Sequence, residues 1–593
     1  MNMFGSIQIS APIFHTIKTY QKVFLRRDIV AGLTVAAVAI PQAMAYAQLA
    51  GVNLTAGLYA AMVAMLAFAV ISASRYVIMG PDAAMAALAG SAVLPLAAGD
   101  QNKAIALVAV LSIFIGIASV GAVFARVSFL ADFLSRPILL GYMAGLAVVV
   151  IASQLPKLFG ISAPPSSNIL GVLGTVLGNV SDINWYTFFI AVCTLFIGFV
   201  FTKWFKKFPV SLLLLVVGTF ISWLFAFSTY GVAVVGILPS GLPVPNIPAI
   251  SPVDLQNLVI PAIAMMLIAY ANTIATARTF AQKKRTRVNP DQELMGLGVS
   301  NIASGIWGGL PVSGSGVRTA VNYQAGAKTQ IAQVFAAVTI GLVLVLFSSS
   351  LQYLPLAVLG VIIIIAVLPL FNYKELKSIW YAWRSEAVLA VITMIGVAIL
   401  GVYQGLLLAL FLAILNIIRK SAFPNDAVLG LTASGSVRDM HRPPKTHEIP
   451  GLKIYRFDAP LYFGNANQFR RRVLQLIRES DTTVKWFLWD AETITGFDST
   501  SGQMLLELIK ELKARNITFA ISRMKGSIRT IVHHTDQLDR ALQRSPHFVS
   551  MGEAIAAFEQ SQKISEQKQD KDKDDSLDKF VVSSKKIMSK SVK

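Results

Sequence analysis

From Asp28 to about Arg419 one apolar segment follows another, many of them long enough for the ~20 helical residues that cross a hydrocarbon layer of ~30 Å. Inside a bilayer every backbone N–H and C=O must find a partner within the protein, so segments of this length are expected to be helices. About fourteen can be counted. Their centres lie at 28–49, 54–72, a short 80–95, 104–125, 132–152, 183–202 and 209–230, then at 255–281, 292–307, a short 315–325, 330–348, 355–371, 384–401 and 403–419. Composition supports the reading, since only 14% of residues are charged against ~25% in a soluble protein.

Two stretches break the pattern. Gly308–Lys328 reads GGLPVSGSGVRTAVNYQAGAK, with Pro, Gly, hydroxyl residues and one Arg deep in apolar sequence. One reading is an extended piece over Leu310–Gly314 leading into a short helix near Ser315; the other is a polar loop between helices. Ser74–Ala89, SRYVIMGPDAAMAALA, repeats the design, with Gly80-Pro81 opening an Ala-rich helix. Pro suits a first helical turn because its missing N–H would be unpaired there anyway. Two Gly/Pro-interrupted segments at matching places favour broken spans over loops. Each is third in its half, which predicts a 7+7 inverted repeat with broken third and tenth spans, the two half-helix N-termini meeting near the midplane. Such N-termini direct unpaired N–H groups and the positive dipole end into a cavity, and Arg318 adds a full charge. That chemistry suits a small anion.

The net charge of +20 would fit nucleic acid, but its placement argues otherwise. Alternating the spans puts Lys18, Lys22, Arg26, Arg27 and most later cations through Arg419 and Lys420 on one side. Only Lys103 and Lys157 fall on the other. Cytoplasmic loops carry the Lys/Arg excess, so both termini are expected in the cytoplasm, with lipid around the spans and the plasma (inner) membrane as location. Residues 1–27 are polar and basic with no apolar run, so no signal peptide is expected. The single Cys193 lies in an apolar run, and neither a disulfide framework nor a cysteine metal site is expected.

After Lys420 the composition turns polar. Residues 421–450, with Arg442-Pro443-Pro444, read as a linker, and 451–560 as a small α/β domain. Lys453–Phe457 (KIYRF), Leu461–Phe463, Val484–Asp490 and Thr518–Ser522 read as strands. Helices are expected at Gln468–Glu479, Ser501–Ala514, Ser527–Thr535 and Gly552–Gln560. The tail over 561–593 has almost no apolar content and is expected to be disordered.

Five stretches resemble the SulP anion permeases and their animal anion-exchanger relatives: Asp28–Ala47 (DIVAGLTVAAVAIPQAMAYA), Ser74–Ala84, Asn272–Ala281 (NTIATARTFA), Asn289–Gly305 and Arg318–Gln330 (RTAVNYQAGAKTQ). Pro450–Phe463 (PGLKIYRFDAPLYF) and Asp498–Gly502 (DSTSG) resemble the STAS domain those proteins carry. The resemblance implies a core and a gate domain, a substrate site between the third and tenth spans, usually a dimer, and transport of sulfate, bicarbonate, dicarboxylates or halides. Gln42 and Tyr46 match positions lining the family's anion site, and Arg318 matches the basic residue of its tenth span. Many members have Ser where this chain has Val317, and many bacterial members have a coupling carboxylate where it has Asn272. In the STAS-like loop, Thr500 aligns with a phosphorylated position; Asp498 or Ser499 as a plain helix cap explains the same residues.

The expected substrate set is Gln42, Tyr46, Asp82, Ala83, Asn272, Gly316, Val317 and Arg318, with Asp498, Ser499 and Thr500 as regulatory candidates. Gln42 could be a packing amide, but an intramembrane amide needs partners that an anion or ordered water would supply; Asn272 reads equally as helix–helix glue or a substrate contact. Arg318 reads as an anion contact or as a salt bridge to Asp82. Asp82 either pairs with Arg318, is protonated when the anion binds, binds a cation such as sodium, or caps its helix facing away. Glu293 reads as a helix cap, and His533-His534 as surface histidines. No cofactor, metal or nucleic acid is expected; H+ or Na+ are the candidate coupling ions. The leading function is secondary anion transport, sulfate-like, against an anion channel or a membrane-anchored STAS signalling protein. No nucleophile–base set suggests an enzyme.

Overall fold

The computed structural model describes residues 12–126, 136–161, 169–205, 209–237, 241–246, 248–284, 286–441, 443, 445–533, 536–565 and 567. Its contacts divide the chain into two units, Met1–Ile414 and Leu415–Lys593.

In the first unit, helices form where the apolar segments lie. They are α1 (Lys22–Leu49), α2 (Leu54–Ile71), α3 (Ala83–Ala97), α4 (Gln101–Phe124), α5 (Arg136–Phe159), α6 (Trp185–Trp204) and α7 (Val210–Leu224). Then come α8 (Pro252–Lys284), α9 (Pro290–Ile306), α10 (Gly316–Gln324), α11 (Ile331–Leu346), α12 (Leu356–Val367), α13 (Arg384–Leu400) and α14 (Val402–Ala422). Among the described residues, eight helices are long and apolar enough to cross a membrane. The helices of 15 residues at α3 and 9 residues at α10 are too short alone, as the Gly/Pro interruptions required. Helices over Ile169–Gly178 and Tyr373–Ala382 were not expected from the sequence.

Two packed bodies make up this unit. In one, α4 lies on α9 and α8, α11 on α1 and α2, and α2 on α9. In the other, α5 lies on α13 and α12, with α6 and α7 beside α12. Small residues set the closest approaches. A Cβ on Gly116 of α4 would sit 2.6 Å from the Gly298 carbonyl oxygen of α9, and one on Gly141 of α5 would sit 2.1 Å from that of Ala390 in α13. In lipid the hydrophobic effect does not drive helices together, so close backbone packing carries the association.

The second unit is a seven-stranded sheet. It holds β3 (Asp426–Thr432), β4 (Val437–Asp439), β5 (Thr446–His447), β6 (Leu452–Phe457), β7 (Trp486–Asp490), β8 (Thr518–Ser522) and β9 (His547–Phe548), in the order β4-β3-β6-β7-β8-β9 with β5 on β3. For strand labels, β1 and β2 are the short pair Met79–Pro81 and Val312–Gly314 of the first unit. Helices α15 (Ala466–Arg478), α16 (Ser499–Ala514), α17 (Gly526–His533), α18 (Asp536–Gln543) and a last one over 551–565 accompany the sheet. Trp489, Phe469, Phe487 and Tyr455 fill one core.

Three expectations fail here. The segment read as a linker carries β3, β4 and β5, because Tyr455 Oη and Arg472 Nε both donate to Asp426 Oδ2, at 3.0 and 2.8 Å, and fix β3 against β6 and α15. Leu461–Phe463 is no strand; Leu461 makes only an isolated bridge to Phe497. The last helix continues past Gln560 to 565, and the rest of the tail lies outside the described residues, as do His534 and Thr535.

Candidate functional site

The two broken spans meet. Strands β1 and β2 pair antiparallel, with Met79 opposite Gly314 and Pro81 opposite Val312. Antiparallel entry is what an inverted repeat requires, and it sets α3 and α10 starting from one two-stranded platform. Irregular backbone at bilayer depth must find its partners in the protein or a cavity, and here side chains supply several of them. Asn301 Oδ1 accepts from the Val312 N–H, and Asn301 Nδ2 donates to the Val312 carbonyl, both at 3.0 Å. The Gly314 N–H donates to Thr273 Oγ1 at 2.9 Å, and the Ile78 N–H to Thr319 Oγ1 at 3.0 Å. Three hydroxyl or amide side chains from three helices thus hold a few residues of strand with four hydrogen bonds.

A cavity of about 1080 Å³ opens beside this platform. Gln42 and Tyr46 line it from α1, Asp82 and Ala83 from the start of α3, Asn272 from α8, and Ser315, Gly316 and Val317 from the start of α10. Arg136 and Glu375 form an ion pair that also lines it, Arg136 being largely exposed. The first backbone N–H groups of a helix have no intrahelical partner, so both half-helix starts present donors and positive dipole ends to the same space.

Seven of the eight expected substrate residues line the cavity. Arg318 does not. It is fully buried, its Nη2 donates to the Pro81 carbonyl at 2.6 Å, and its Nε and Nη1 have no partner among the described residues. The guanidinium lies under Gly80, where a Cβ would meet it at 3.3 Å. Its neighbour Val317 takes the exposed place instead. A helix turns about 100° per residue, so adjacent residues cannot share a face, and the short platform leaves the long side chain only the space behind β1. Arg318 therefore lies behind the strand, bonded to it, and does not touch the cavity.

Asp82 is the N-cap of α3 by backbone position, yet its side chain makes no capping bond. It accepts from Ser313 Oγ at 3.4 Å and otherwise faces the cavity. It forms no ion pair with Arg318 within 4.0 Å. The outward cap and the direct salt bridge are both overturned. Glu293 is also not a cap: Asn289 Oδ1 accepts from the Asp291 N–H at 3.1 Å and does that work, while buried Glu293 accepts from Ser72 Oγ of the loop after α2 at 3.0 Å.

Residues that the sequence reading missed are Ser315 and Thr276. Ser315 caps α10, accepting from the Arg318 N–H at 3.4 Å. Thr276 lines the cavity one turn beyond Asn272, an i,i+4 polar pair that was there to be read.

In the second unit Asp498 caps α16 in a closed capping box. Its Oδ1 accepts from the Ser501 N–H at 2.8 Å and its Oδ2 from the Phe463 N–H at 2.8 Å, while the Asp498 N–H donates to Ser501 Oγ at 3.0 Å. Burial pushes this carboxyl up, but the donors outweigh it and hold it below the usual carboxylate range. Ser499 and Thr500 stand exposed on the first turn.

An antiparallel pair of broken spans facing one cavity, joined in the chain to a mixed α/β domain, defines a multi-pass membrane transporter rather than an anchor. The sequence pattern of the sulfate permease family matches residues 25–393 and that of the STAS domain residues 443–549, and the chain belongs to the sulfate permease family of anion transporters. It is 36% identical over 549 residues to a probable sulfate transporter of Mycobacterium tuberculosis, covering 92% of this chain and 98% of that one. It is 29% identical to high affinity sulfate transporter 2 of Stylosanthes hamata, covering 93% and 87%. Its fold is similar to that of the murine Solute Carrier 26 family member A9 anion transporter in the inward-facing state, with a TM-score of 0.85 and 22% identity over 95% and 96% of the two chains.

Proposed function

We propose that this protein is a secondary transporter that carries a small anion, sulfate-like by preference, across the plasma (inner) membrane. The observation that carries the reading is the convergence of the α3 and α10 N-termini, with Gln42, Tyr46, Asp82, Asn272 and Ser315, on one cavity. Unpaired backbone donors and two dipole ends favour negative charge, and the polar side chains fix its orientation. The names of the relatives support sulfate. Movement of the body built on α4 and α9 against the one built on α5 and α13 would expose the site alternately, since close backbone packing lies within each body.

Asp82 is the coupling group in this reading. A carboxylate beside a bound anion is relieved by taking up a proton or by holding a sodium ion. Both termini lie in the cytoplasm, the working form is a homodimer, and Ser499 or Thr500 offers a regulatory phosphorylation point. The test is uptake into proteoliposomes of labelled sulfate, bicarbonate, fumarate and chloride, with and without pH and sodium gradients. Accumulation of sulfate against its gradient is the expected result. Flow that only runs downhill means a channel, and no flow of any anion would refute the reading.

A further inference from the structure

A second cavity, of about 610 Å³, lies on the seam between α1, α3 and α5 that the first cavity also touches. On α3 the first is lined by Ala83 and the second by Ala87, Gly90, Ser91, Leu94 and Pro95, so the linings begin about 6 Å apart at 1.5 Å per residue. On α5 the first is lined by Leu139 and Met143, the second by Ser153, Gln154 and Lys157. Leu146 of α5, fully buried, lies between the two sets along the helix. The second cavity therefore sits toward the end of the seam away from the Arg136–Glu375 mouth.

Lys157 lines this cavity and has no acidic group within 4.0 Å among the described residues. Lys103, the other cation expected on that side, is paired with Asp254 at 3.1 Å. No Asp or Glu is among the described residues lining the cavity. Two amide oxygens at the same cavity, Gln48 Oε1 from α1 and Gln154 Oε1 from α5, are buried without a donor. An ammonium carries three N–H donors and no acceptor. Neither oxygen bonds the ammonium in this structure, and an ammonium that turned to both would still keep a third donor for an anion in the open space. A half-buried cation without a counter-charge is costly, and a small anion removes that cost.

We propose that Lys157, positioned by Gln48 and Gln154, forms a second anion site on the side of the membrane opposite the main cavity, where an anion of the transported class rests while bridging α1 and α5. Its role in entry or exit rests on the transporter reading; the binding itself does not. Two measurements on the full chain separate these. Ser91→Cys, in a Cys193→Ser background, places one thiol in the cavity for labelling by a membrane-impermeant reagent. Sulfate or chloride, with gluconate holding ionic strength, is expected to slow labelling when Lys157 is present and not in Lys157→Gln. In uptake, Lys157→Gln is expected to raise half-saturation from that side roughly tenfold, as for one charge-assisted hydrogen bond, and Lys157→Arg to restore it. Absent protection, or protection equal in Lys157→Gln, overturns the site. If the parent protein carries no anion yet protection depends on Lys157, the transport reading falls and the site stands.

Discussion

Asp82 and Asp498 occupy the same backbone position, one residue before a helix, with φ/ψ of −133°/151° and −113°/174°. They are used in opposite ways. Asp498 spends both oxygens on backbone N–H groups and closes a capping box. Asp82 caps nothing and leaves its carboxylate on the cavity. A carboxylate that has satisfied its helix is stabilising and inert. One that has not keeps its binding capacity, at a cost in stability that the platform of β1 and β2 must offset. In the proposed reading it is the open cap that functions.

The largest effect that would sharpen this contrast lies behind the open cap. Arg318→Ala removes a buried charge and the bond to the Pro81 carbonyl, and should cost on the order of 2–5 kcal/mol in anion binding, by analogy with buried charge pairs. Uptake should fall to near background while the protein still inserts. Arg318→Lys, a point charge without the guanidinium fork, should recover only part. Near-native affinity in Arg318→Ala, measured by competition binding, would show that the charge does not reach the cavity through β1.

Next in size is the open cap itself. Asp82→Asn should still exchange anion across the membrane but no longer concentrate it with a proton gradient. If sodium is the partner, the wild type needs sodium for uptake and the variant loses it. Uptake by both proteins over pH 5–8, with and without sodium, decides between these outcomes. A variant indistinguishable from wild type in every condition would make Asp82 as inert as Asp498, and the comparison would fail.

The spans were legible because apolar length is a one-dimensional signal, and Gly80-Pro81 and Gly314–Gly316 mark the breaks in the chain itself. Which way a side chain leaves a break was not legible. Arg318 and Val317 are neighbours in sequence, and only the packing of α10 against β1 decides that the cation hides and the valine faces the cavity. The same limit hid β3. Its Ala427–Leu431 run is short, and Asp426 reads as a polar break until Tyr455 and Arg472 are seen to hold it. One consequence is practical. A truncation at Gly451 would split the sheet, so the second unit must be removed before Asp426.

A smaller effect is expected where the exposed valine stands. Val317→Ser puts a hydroxyl on the cavity beside Gly316 and should tighten anion binding several-fold, near the ~1 kcal/mol of one hydrogen bond. Direct binding of labelled sulfate measures it. Weaker binding would mean that the site depends on dryness at this position more than on donors.

The smallest effect on transport belongs to the closed cap. Asp498→Ala should leave anion selectivity unchanged and cost about 1 kcal/mol of local stability, the usual loss for an N-cap. Because Asp498 is held below the usual carboxylate range when folded, its contribution is present above the unfolded value near ~4 and is lost as pH falls through the lower folded one. Hydrogen exchange at the first amides of α16 reads this directly. At pH 7 the Ser501 and Gly502 amides should exchange about fivefold faster in Asp498→Ala, the factor that 1 kcal/mol gives. Unfolding the full chain at lower pH should show the difference between variant and wild type shrinking below about pH 4. Equal protection at pH 7 would mean that the Phe463 and Ser501 donors find other partners, and that Asp498, like Asp82, is kept for something besides its helix.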